Sequence, residues 1–198
     1  MGSRMMHVII ANEVSKRIEI ADLNKFLLGS IAVDATSDKK KTHYFKGLAI
    51  EYTRHIDHEE FKQEHKLTFD MSYELGYYTH LIADDYWMQG FYLAWIKKAM
   101  ELNPYLLDEY HDDFVILNKL LQNEYPDIPG VINYLMVTDN IEVINEVDLE
   151  DISNILKELK DDVSNNPLIT NLNVFTLDQM VAYIESSVDK ILYHIYKL

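Results

Sequence analysis

The sequence predicts an all-α fold, arranged as a single-domain bundle of about six to eight helices. Apolar residues recur at helical spacing along most of the chain, and capping residues precede several of these runs. No segment sustains the polar and apolar alternation that is typical of a strand. Because 198 residues suit one hydrophobic core, and only 6 glycines and 4 prolines occur, we expect residues 1–198 to form one domain.

Two helices are predicted near the N-terminus. Ser3 can cap a helix over residues 4–17, where apolar side chains recur every three or four positions. Asp22 can cap a second helix, which leads to Asp34. Residues 35–42 are polar and predict a loop.

The middle of the chain predicts two further helices. Residues 56–66 are charged enough for an exposed helix. Asp70 can cap the next helix, which extends to about residue 88. Gly90 predicts a break or a bend after it.

The second half of the chain predicts three more helices. Asn103 and Pro104 are a cap and a first-turn proline for a helix that continues to about residue 124, where Pro126 and Pro129 end it. Another helix is expected over residues 148–159. The last helix, of about twenty residues, begins at a capping box that is formed by Thr176 and Gln179.

The composition limits the possible functions. No cysteine is present, so any zinc must be held by histidine and carboxylate side chains. The net charge of -15 opposes stable binding of nucleic acid, and the short basic run 39–41 is best interpreted as a solvated loop. The apolar runs are too short for a transmembrane segment, and the first residues lack the apolar segment of a secretory signal. We therefore expect a cytoplasmic protein.

One predicted helix contains the sequence GYYTHLIADDYW, residues 76–87. His80 and Asp84 lie four positions apart, so both side chains project from one face of the helix and can coordinate a single divalent ion. Asp85 lies about 100° further round the helix. It is expected either to support the ligands through a hydrogen bond or to lie at the surface.

Other candidate ligands precede this helix. His7 lies among apolar residues, Asp34 directly follows an apolar run, and His43 precedes two aromatic residues. Each is compatible with an ordinary core or loop position, although a buried imidazole without a partner would be costly. Together with His80 and Asp84, they provide the three or four ligands that zinc requires.

Several neighbouring residues have more than one interpretation. Tyr44, Tyr77 and Trp87 could form the wall of a small-molecule pocket beside the ions, although aromatic residues at helical spacing are also typical of a core. His111 and Asp112 are similar to the His-Asp pair of HD-type phosphohydrolases, but the helix register favours an ordinary surface histidine.

A second group of polar residues, His55, His58, Glu59 and Glu60, is dense enough to suggest metal binding. His55 and Glu59 repeat the spacing of four positions. The favoured interpretation is nevertheless a hydrated helix start, because charged residues of this kind are usual at an exposed helix end.

Four segments in order, SRMMHVIIANEV, LLGSIAVDA, THYF and GYYTHLIADDYW, resemble the bacterial zinc-dependent phospholipase C family. That family is related more distantly to the zinc-dependent single-strand nucleases of fungi and plants. All four segments precede Gly90, and the chain beyond it offers a compatible helical pattern. The resemblance implies a fold of the phospholipase C and single-strand nuclease type.

The resemblance also implies a dinuclear zinc centre. His7 and Asp84 would help to hold one ion. The second ion would be surrounded by Asp34, His43, His80 and Asp84, with the last of these as a bridge. Two ions about 3.5–4 Å apart suit the hydrolysis of a phosphoester. Asp34 could act as a ligand or as the catalytic general base.

The chain departs from the family beyond this motif. Phospholipase members bind a third zinc through later histidines, but Gly90 stands where one of them is placed. Neither His111 nor His194 is followed by an acid four positions later. We therefore expect one or two zinc ions and no third site.

Three functions are compatible with these features. The first is metal-dependent hydrolysis of a small phosphoester or of a phospholipid headgroup. The second is a non-catalytic helical binding or scaffold protein that retains a structural metal. The third is an HD-type metal phosphohydrolase.

Overall fold

The computed structural model describes residues 3–36, 38–137, 144, 147–165, 167 and 171–198, and these residues are mostly helical. The all-α prediction is confirmed. The α-helices are Arg4–Ser15 (α1), Leu23–Ala32 (α2), Lys39–Thr42 (α3), His58–Glu64 (α4), Ser72–Trp87 (α5), Lys97–Leu102 (α6), Leu106–Glu124 (α7), Ile128–Leu135 (α8), Leu149–Ser164 (α9) and Leu177–Ile195 (α10). The described part of the chain contains more helices than predicted, because the sequence did not predict the short helices α3, α6 and α8.

Three predicted helix starts are confirmed. The side chains of Ser3 and Asp22 each accept a hydrogen bond from a backbone N–H in the first turn of α1 and α2. Thr176 and Gln179 form the complete capping box at the start of α10. These contacts are local in sequence, which explains why the residue types alone were sufficient to predict them.

Two predictions in the first half are wrong. Residues 35–42 are not entirely a loop, because Asp38 caps the short helix α3 through the backbone N–H of Lys40. Asp70 does not cap α5; its carboxylate instead accepts a hydrogen bond from the Thr68 hydroxyl at 2.6 Å.

Gly90 does not interrupt the helix that contains the motif. After α5 the chain continues as a π-helical segment, Met88–Ile96, and then as α6. π-helical turns are rare and often occur at functional sites. Here the change of helical period replaces the predicted break.

In the described part of the second half, α8 is a helix that was not predicted. Pro126 and Pro129 follow the end of α7 as expected, but Pro129 lies in the first turn of α8, where proline is tolerated because its missing N–H needs no partner. Asn103 accepts a hydrogen bond from the Tyr105 N–H before α7 begins at Leu106. The helix predicted over residues 148–159 extends further, as α9.

A small antiparallel sheet was also not predicted. Strands Phe45–Lys46 (β1) and His55–Ile56 (β2) pair after α3. Each has two residues, which is too short for a periodic pattern to be recognised in the sequence.

Helices α2 and α5 approach each other unusually closely, through one glycine on each helix. A Cβ atom on Gly29 would lie 2.0 Å from the carbonyl oxygen of Tyr73, and a Cβ atom on Gly76 would lie 1.9 Å from that of Phe26. Only glycine permits this backbone contact. It places α2 directly against the face of α5 that contains the candidate ligands His80 and Asp84.

None of the helices in the described ranges is both long and apolar enough to cross a membrane.

Candidate metal centre

The five predicted ligands meet in the interior of the bundle. His7 lies on α1, and Asp34 follows the end of α2. His43 follows α3, while His80 and Asp84 lie on α5. The four residues other than Asp34 are at most 1% exposed, and the side chain of Asp34 is 11% exposed. The sequence therefore brings together residues from four separate segments at one buried point.

The ligand atoms form two groups that share His80. One group contains His7, His80 and Asp84, and the other contains Asp34, His43 and His80; within each group the atoms lie within 4.8 Å of one another. Asp84 faces three histidines: its oxygens lie 3.4 Å from Nε2 of His7 and 3.5 Å from Nε2 of both His43 and His80. Either group could hold a metal ion, and Asp84 is placed between them.

The hydrogen bond of His80 determines which of its nitrogens is available. Nδ1 lies 2.7 Å from the carbonyl oxygen of Ser30, which can only accept, so Nδ1 carries the proton. In the neutral ring, Nε2 therefore presents a lone pair. It faces oxygens of Asp84 at 3.5 Å and of Asp34 at 4.0 Å, which are also acceptors. The bond from Nδ1 to the Ser30 carbonyl is typical of a metal-binding histidine, which donates its second ring N–H to a backbone carbonyl or a carboxylate.

His43 is held by a relay of two hydrogen bonds. Its Nδ1 lies 2.9 Å from the hydroxyl of Thr42, and Tyr77 donates its own hydroxyl to the Thr42 carbonyl oxygen at 2.7 Å. Nε2 then points at Asp34, with 3.4 Å to Oδ1. Tyr77 thus supports the site through Thr42.

The His7 ring stacks on His80, with 3.6 Å between the centroids and 12° between the planes. Burial, together with the neighbouring His80, lowers the pKa of His7 to about 4. The ring is therefore neutral near pH 7, which is the form that binds a metal.

The two carboxylates are ionised. Burial acts to raise the pKa of Asp84, but the interactions of its carboxylate with surrounding groups, including His80 and His43, outweigh burial and hold the pKa well below its usual range. Burial also acts to raise the pKa of Asp34, but His43, His80 and Lys39 hold that pKa well below its usual range. The Nζ atom of Lys39 donates to Oδ1 of Asp34 at 2.8 Å.

The arrangement fits a bound divalent cation. Neither ring nitrogen of His7, nor Nε2 of His43 or His80, makes a hydrogen bond within the described part of the chain. The Nε2 atoms of the three histidines instead face carboxylates at 3.4–4.0 Å, which is longer than an ordinary hydrogen bond. Two ligands of a tetrahedral zinc ion lie about 3.3–3.6 Å apart, so most of these distances match shared coordination.

A cavity of about 360 Å³ lies beside the centre and reaches Asp34. It is lined by Ser3, Arg4, Asp34, Lys39, His111, Phe114, Val115, Asn118, Ile155 and Asp162. Arg4 and Lys39 place two positive charges on its wall, although Arg4 is also paired with Glu158 and Asp162.

A more apolar cavity of about 340 Å³ adjoins the first one and shares Lys39, His111 and Phe114 with it. Tyr92, Met100, Leu107 and Tyr110 complete its lining. The space beside Asp34 therefore has a charged part and an aromatic part.

The other aromatic residues predicted for the pocket have different contacts. Trp87 is fully buried and stacks on Phe91, with 4.6 Å between the ring centroids. Tyr44 donates its hydroxyl to Glu64 at 3.0 Å. Neither residue lines the two cavities beside Asp34.

Asp85 supports the fold next to the centre and is not directed at the ligands. Its Oδ1 accepts a hydrogen bond from the backbone N–H of Ile56 at 2.9 Å, so it fixes strand β2 against α5. The observed partner of Asp85 is therefore the backbone of β2, and not one of the candidate ligands.

The His-Asp pair of α7 does not join a metal group within the described residues. His111 and Asp112 are exposed, and His111 lines both cavities. The adjacent Asp113 is buried and accepts hydrogen bonds from the backbone N–H groups of residues 173, 174 and 175 at 2.7–2.9 Å. This acid holds the segment before α10.

Sequence reasoning missed Ser30, Thr42, Lys39 and Arg4. Ser30 contributes a backbone carbonyl, which any residue could provide, so no side-chain signal exists. The basic run 39–41 was visible, but its first lysine belongs to the site because Asp38 caps a helix there.

Comparison of the chain with family models, curated proteins and solved structures gives no match.

Proposed function

We propose that this chain is a metal-dependent hydrolase of phosphoesters, with a zinc centre and a helical bundle of the phospholipase C and single-strand nuclease type. The observation that carries the proposal is the convergence of three imidazole nitrogens on two ionised carboxylates in a buried site. The resemblance of four ordered sequence segments to the zinc-dependent phospholipase C family supports it.

The ligands divide between two positions. His7, His80 and Asp84 would hold one ion, and Asp34 and His43, with His80 or Asp84, would hold the other. When bound, zinc polarises a phosphoryl oxygen and lowers the pKa of a coordinated water towards ~7. The protein fixes its ligands beforehand, through the Ser30 carbonyl for His80 and the Thr42 hydroxyl for His43.

Asp34 fits the role of a ligand better than that of a general base. Its Oδ1 is shared between Lys39 at 2.8 Å and His43 at 3.4 Å, and its Oδ2 faces His80 at 4.0 Å. The lowered pKa of Asp34 also makes it a weak proton acceptor at neutral pH. Its partial exposure to the cavity allows it to orient a substrate or a water.

The cavities indicate the class of substrate. Lys39 and Arg4 can neutralise a phosphoryl group beside Asp34, and the adjoining aromatic cavity can take an apolar or aromatic substituent. The total space suits a small phosphodiester or a phospholipid headgroup. A long nucleic acid is disfavoured by the net charge of -15.

The decisive experiment combines activity with one matched pair of variants. Chromogenic phosphomonoesters and phosphodiesters are assayed with added Zn²⁺ or Mn²⁺, for wild type, Asp84→Asn and Asp85→Asn. Asp85→Asn is the control, because its amide oxygen can still accept the Ile56 hydrogen bond. We expect turnover in wild type and the control and its loss in Asp84→Asn.

Equal turnover in Asp84→Asn and wild type would show that the proposed centre does not take part in the reaction. Elemental analysis of protein purified without chelator provides the second readout. Wild type that contains no metal, and takes up none from Zn²⁺ buffer, would contradict the proposal directly.

A non-catalytic role is the second candidate, and burial of the ligands favours it. His7, His43, His80 and Asp84 are at most 1% exposed, as is typical of closed structural zinc sites. In that case Zn²⁺ would raise the melting temperature of wild type, but not of Asp84→Asn, while turnover stayed at background for every substrate.

A further inference from the structure

We infer a second and separate metal site at the surface, formed by His58, Glu59 and His194, which takes a divalent ion of the zinc type. It lies where the start of α4 meets the last turn of α10. The proposal does not depend on the proposed hydrolase function, because none of its ligands belongs to the buried centre.

The ligand atoms of this surface site already converge. Oε1 of Glu59 lies 3.5 Å from Nδ1 of His58 and 3.7 Å from Nδ1 of His194, and one ligand atom from each residue lies within 4.8 Å of the others. These separations are too long for good hydrogen bonds. They are close to the distance of about 3.3–3.6 Å between two ligands of a tetrahedral zinc ion.

Tyr78 of α5 holds both residues of α4 in place. Its hydroxyl donates to Oε1 of Glu59 at 3.0 Å, and its ring meets the His58 ring edge to face, with 5.5 Å between centroids. Rings of His58 and His194 also lie edge to face, at 4.7 Å and 82°. The two imidazoles are therefore oriented by packing as well as by charge.

Nδ1 of His58 provides an independent observation. It is buried and has no hydrogen-bond partner within the described part of the chain, which is costly for a polar atom. A bound ion would satisfy it. The side chains of His58 and His194 are only 14% and 17% exposed, whereas Glu59 is 47% exposed, so solvent can complete the coordination on the Glu59 side.

The charges around the surface site are mixed, with carboxylates near His58 and the lysines Lys190 and Lys197 near His194. Asp57, Glu59 and Asp85 all act on His58 with negative charge. Lys190 opposes them, and Lys62 lies 3.6 Å from Oε2 of Glu59, the oxygen that does not face the imidazoles. Two imidazoles and one carboxylate suit zinc and its neighbours among the divalent transition metals better than Mg²⁺ or Ca²⁺.

A metal bound here would join α10, near the end of the chain, to α4. Ions that bind only the folded state stabilise it by mass action. The expected result is that Zn²⁺ adds a link between the last turn of α10 and the start of α4.

The site is tested by counting Zn²⁺ in protein dialysed against a fixed concentration of free Zn²⁺. His194→Ala and Glu59→Gln should each bind one equivalent fewer than wild type. His55→Ala is the matched control, because His55 is an exposed histidine on the neighbouring strand β2 and its ligand atoms belong to no metal group in the described residues. It should bind as many equivalents as wild type.

An unchanged count in both His194→Ala and Glu59→Gln would overturn the proposal. Circular dichroism of each variant excludes loss of the fold as the reason for a lower count. Asp84→Asn separates the two sites in this experiment. It should lose metal from the buried centre but keep the one equivalent of Zn²⁺ that His194→Ala loses.

Discussion

The imidazole rings of His7 and His80 lie parallel and 3.6 Å apart between centroids, buried beside Asp84. Two rings at this distance cannot both carry a proton at low cost, because like charges repel strongly in a buried site. The contact therefore favours a neutral ring that is ready to bind a metal, and it makes the metal-free protein sensitive to acid.

Acidification should destabilise the metal-free protein between pH 6.5 and about pH 4. The pKa of His7 falls from 6.5 to about 4 on folding, so in this window the unfolded chain binds a proton that the folded chain does not. The free energy of unfolding should therefore fall as the pH is lowered, by up to about 3 kcal/mol. Urea denaturation of chelator-treated protein across the window measures this.

The variant His7→Gln provides the control for the pH experiment. Its stability should depend less on pH in the same window. His43 contributes little there, because its pKa is raised in the folded chain and it is protonated in both states below pH 6.5. A slope that is unchanged in His7→Gln would show that another group is responsible.

Asp84→Asn should lose more metal than His7→Gln. Asp84 faces all three histidines, whereas His7 belongs to only one of the two groups in the buried centre. Both variants are measured in a Glu59→Gln background, so that the surface site does not contribute to the metal count. In this background, His7→Gln should keep the metal ion that is held by Asp34 and His43. Equal loss in the two variants would mean that the buried centre holds a single ion.

Gly76→Ala should destabilise the protein strongly. The added Cβ would lie 1.9 Å from the carbonyl oxygen of Phe26, so α2 and α5 must separate, at an expected cost of about 3 kcal/mol or more. Gly130→Ala on α8 is the matched control, because nothing lies within 4 Å of its Cβ. It should stabilise by about 0.5–1 kcal/mol, as alanine favours a helix. Thermal denaturation compares the two, and similar melting temperatures would contradict the close helix contact.

Asp113→Ala should destabilise the fold without removing metal. Its carboxylate accepts three backbone hydrogen bonds before α10, and leaving these N–H groups unpaired should cost about 3 kcal/mol or more. The adjacent and exposed Asp112→Ala should change stability by less than about 0.5 kcal/mol. Loss of metal in Asp112→Ala would instead favour an HD-type centre.

Lys39→Gln should reduce kcat/KM for an anionic phosphoester by roughly tenfold to a hundredfold, as expected for the loss of one charge-assisted hydrogen bond. Lys39 contacts Asp34 and lines both cavities. Lys40→Gln removes the same charge from an exposed neighbour and should leave kcat/KM nearly unchanged. Equal reductions in the two variants would indicate a general effect of charge.

The parts of the fold that follow local rules could be predicted from the sequence. Ser3, Asp22 and the Thr176 capping box each act within one helical turn, so the residue types determine them. Asp70 has the same residue type but bonds to Thr68, which shows that a capping residue can have a competing local partner. The π-helical segment and the two-residue strands depend on tertiary packing and leave no periodic pattern.

The candidate site divides in the same way. His80 and Asp84 could be identified from their spacing on one helix, and His7, Asp34 and His43 from the resemblance. Ser30 and Thr42 could not, because their roles depend on how α2 and α3 lie against α5. For the inferred surface site, the sequence offered His58 and Glu59 as metal candidates but not His194, because His194 is far from Glu59 in sequence and only the fold brings them together.

The close approach of α2 and α5 at Gly29 and Gly76 also bears on ion selectivity. It sets the spacing of α2 and α5 by backbone against backbone, so a wider centre would require this close packing to be broken. Calcium takes six to eight ligands at about 2.3–2.6 Å, whereas zinc takes about four at 2.0–2.3 Å. The two glycines should therefore make the centre reject large ions by size, before the preference of imidazole for zinc has any effect.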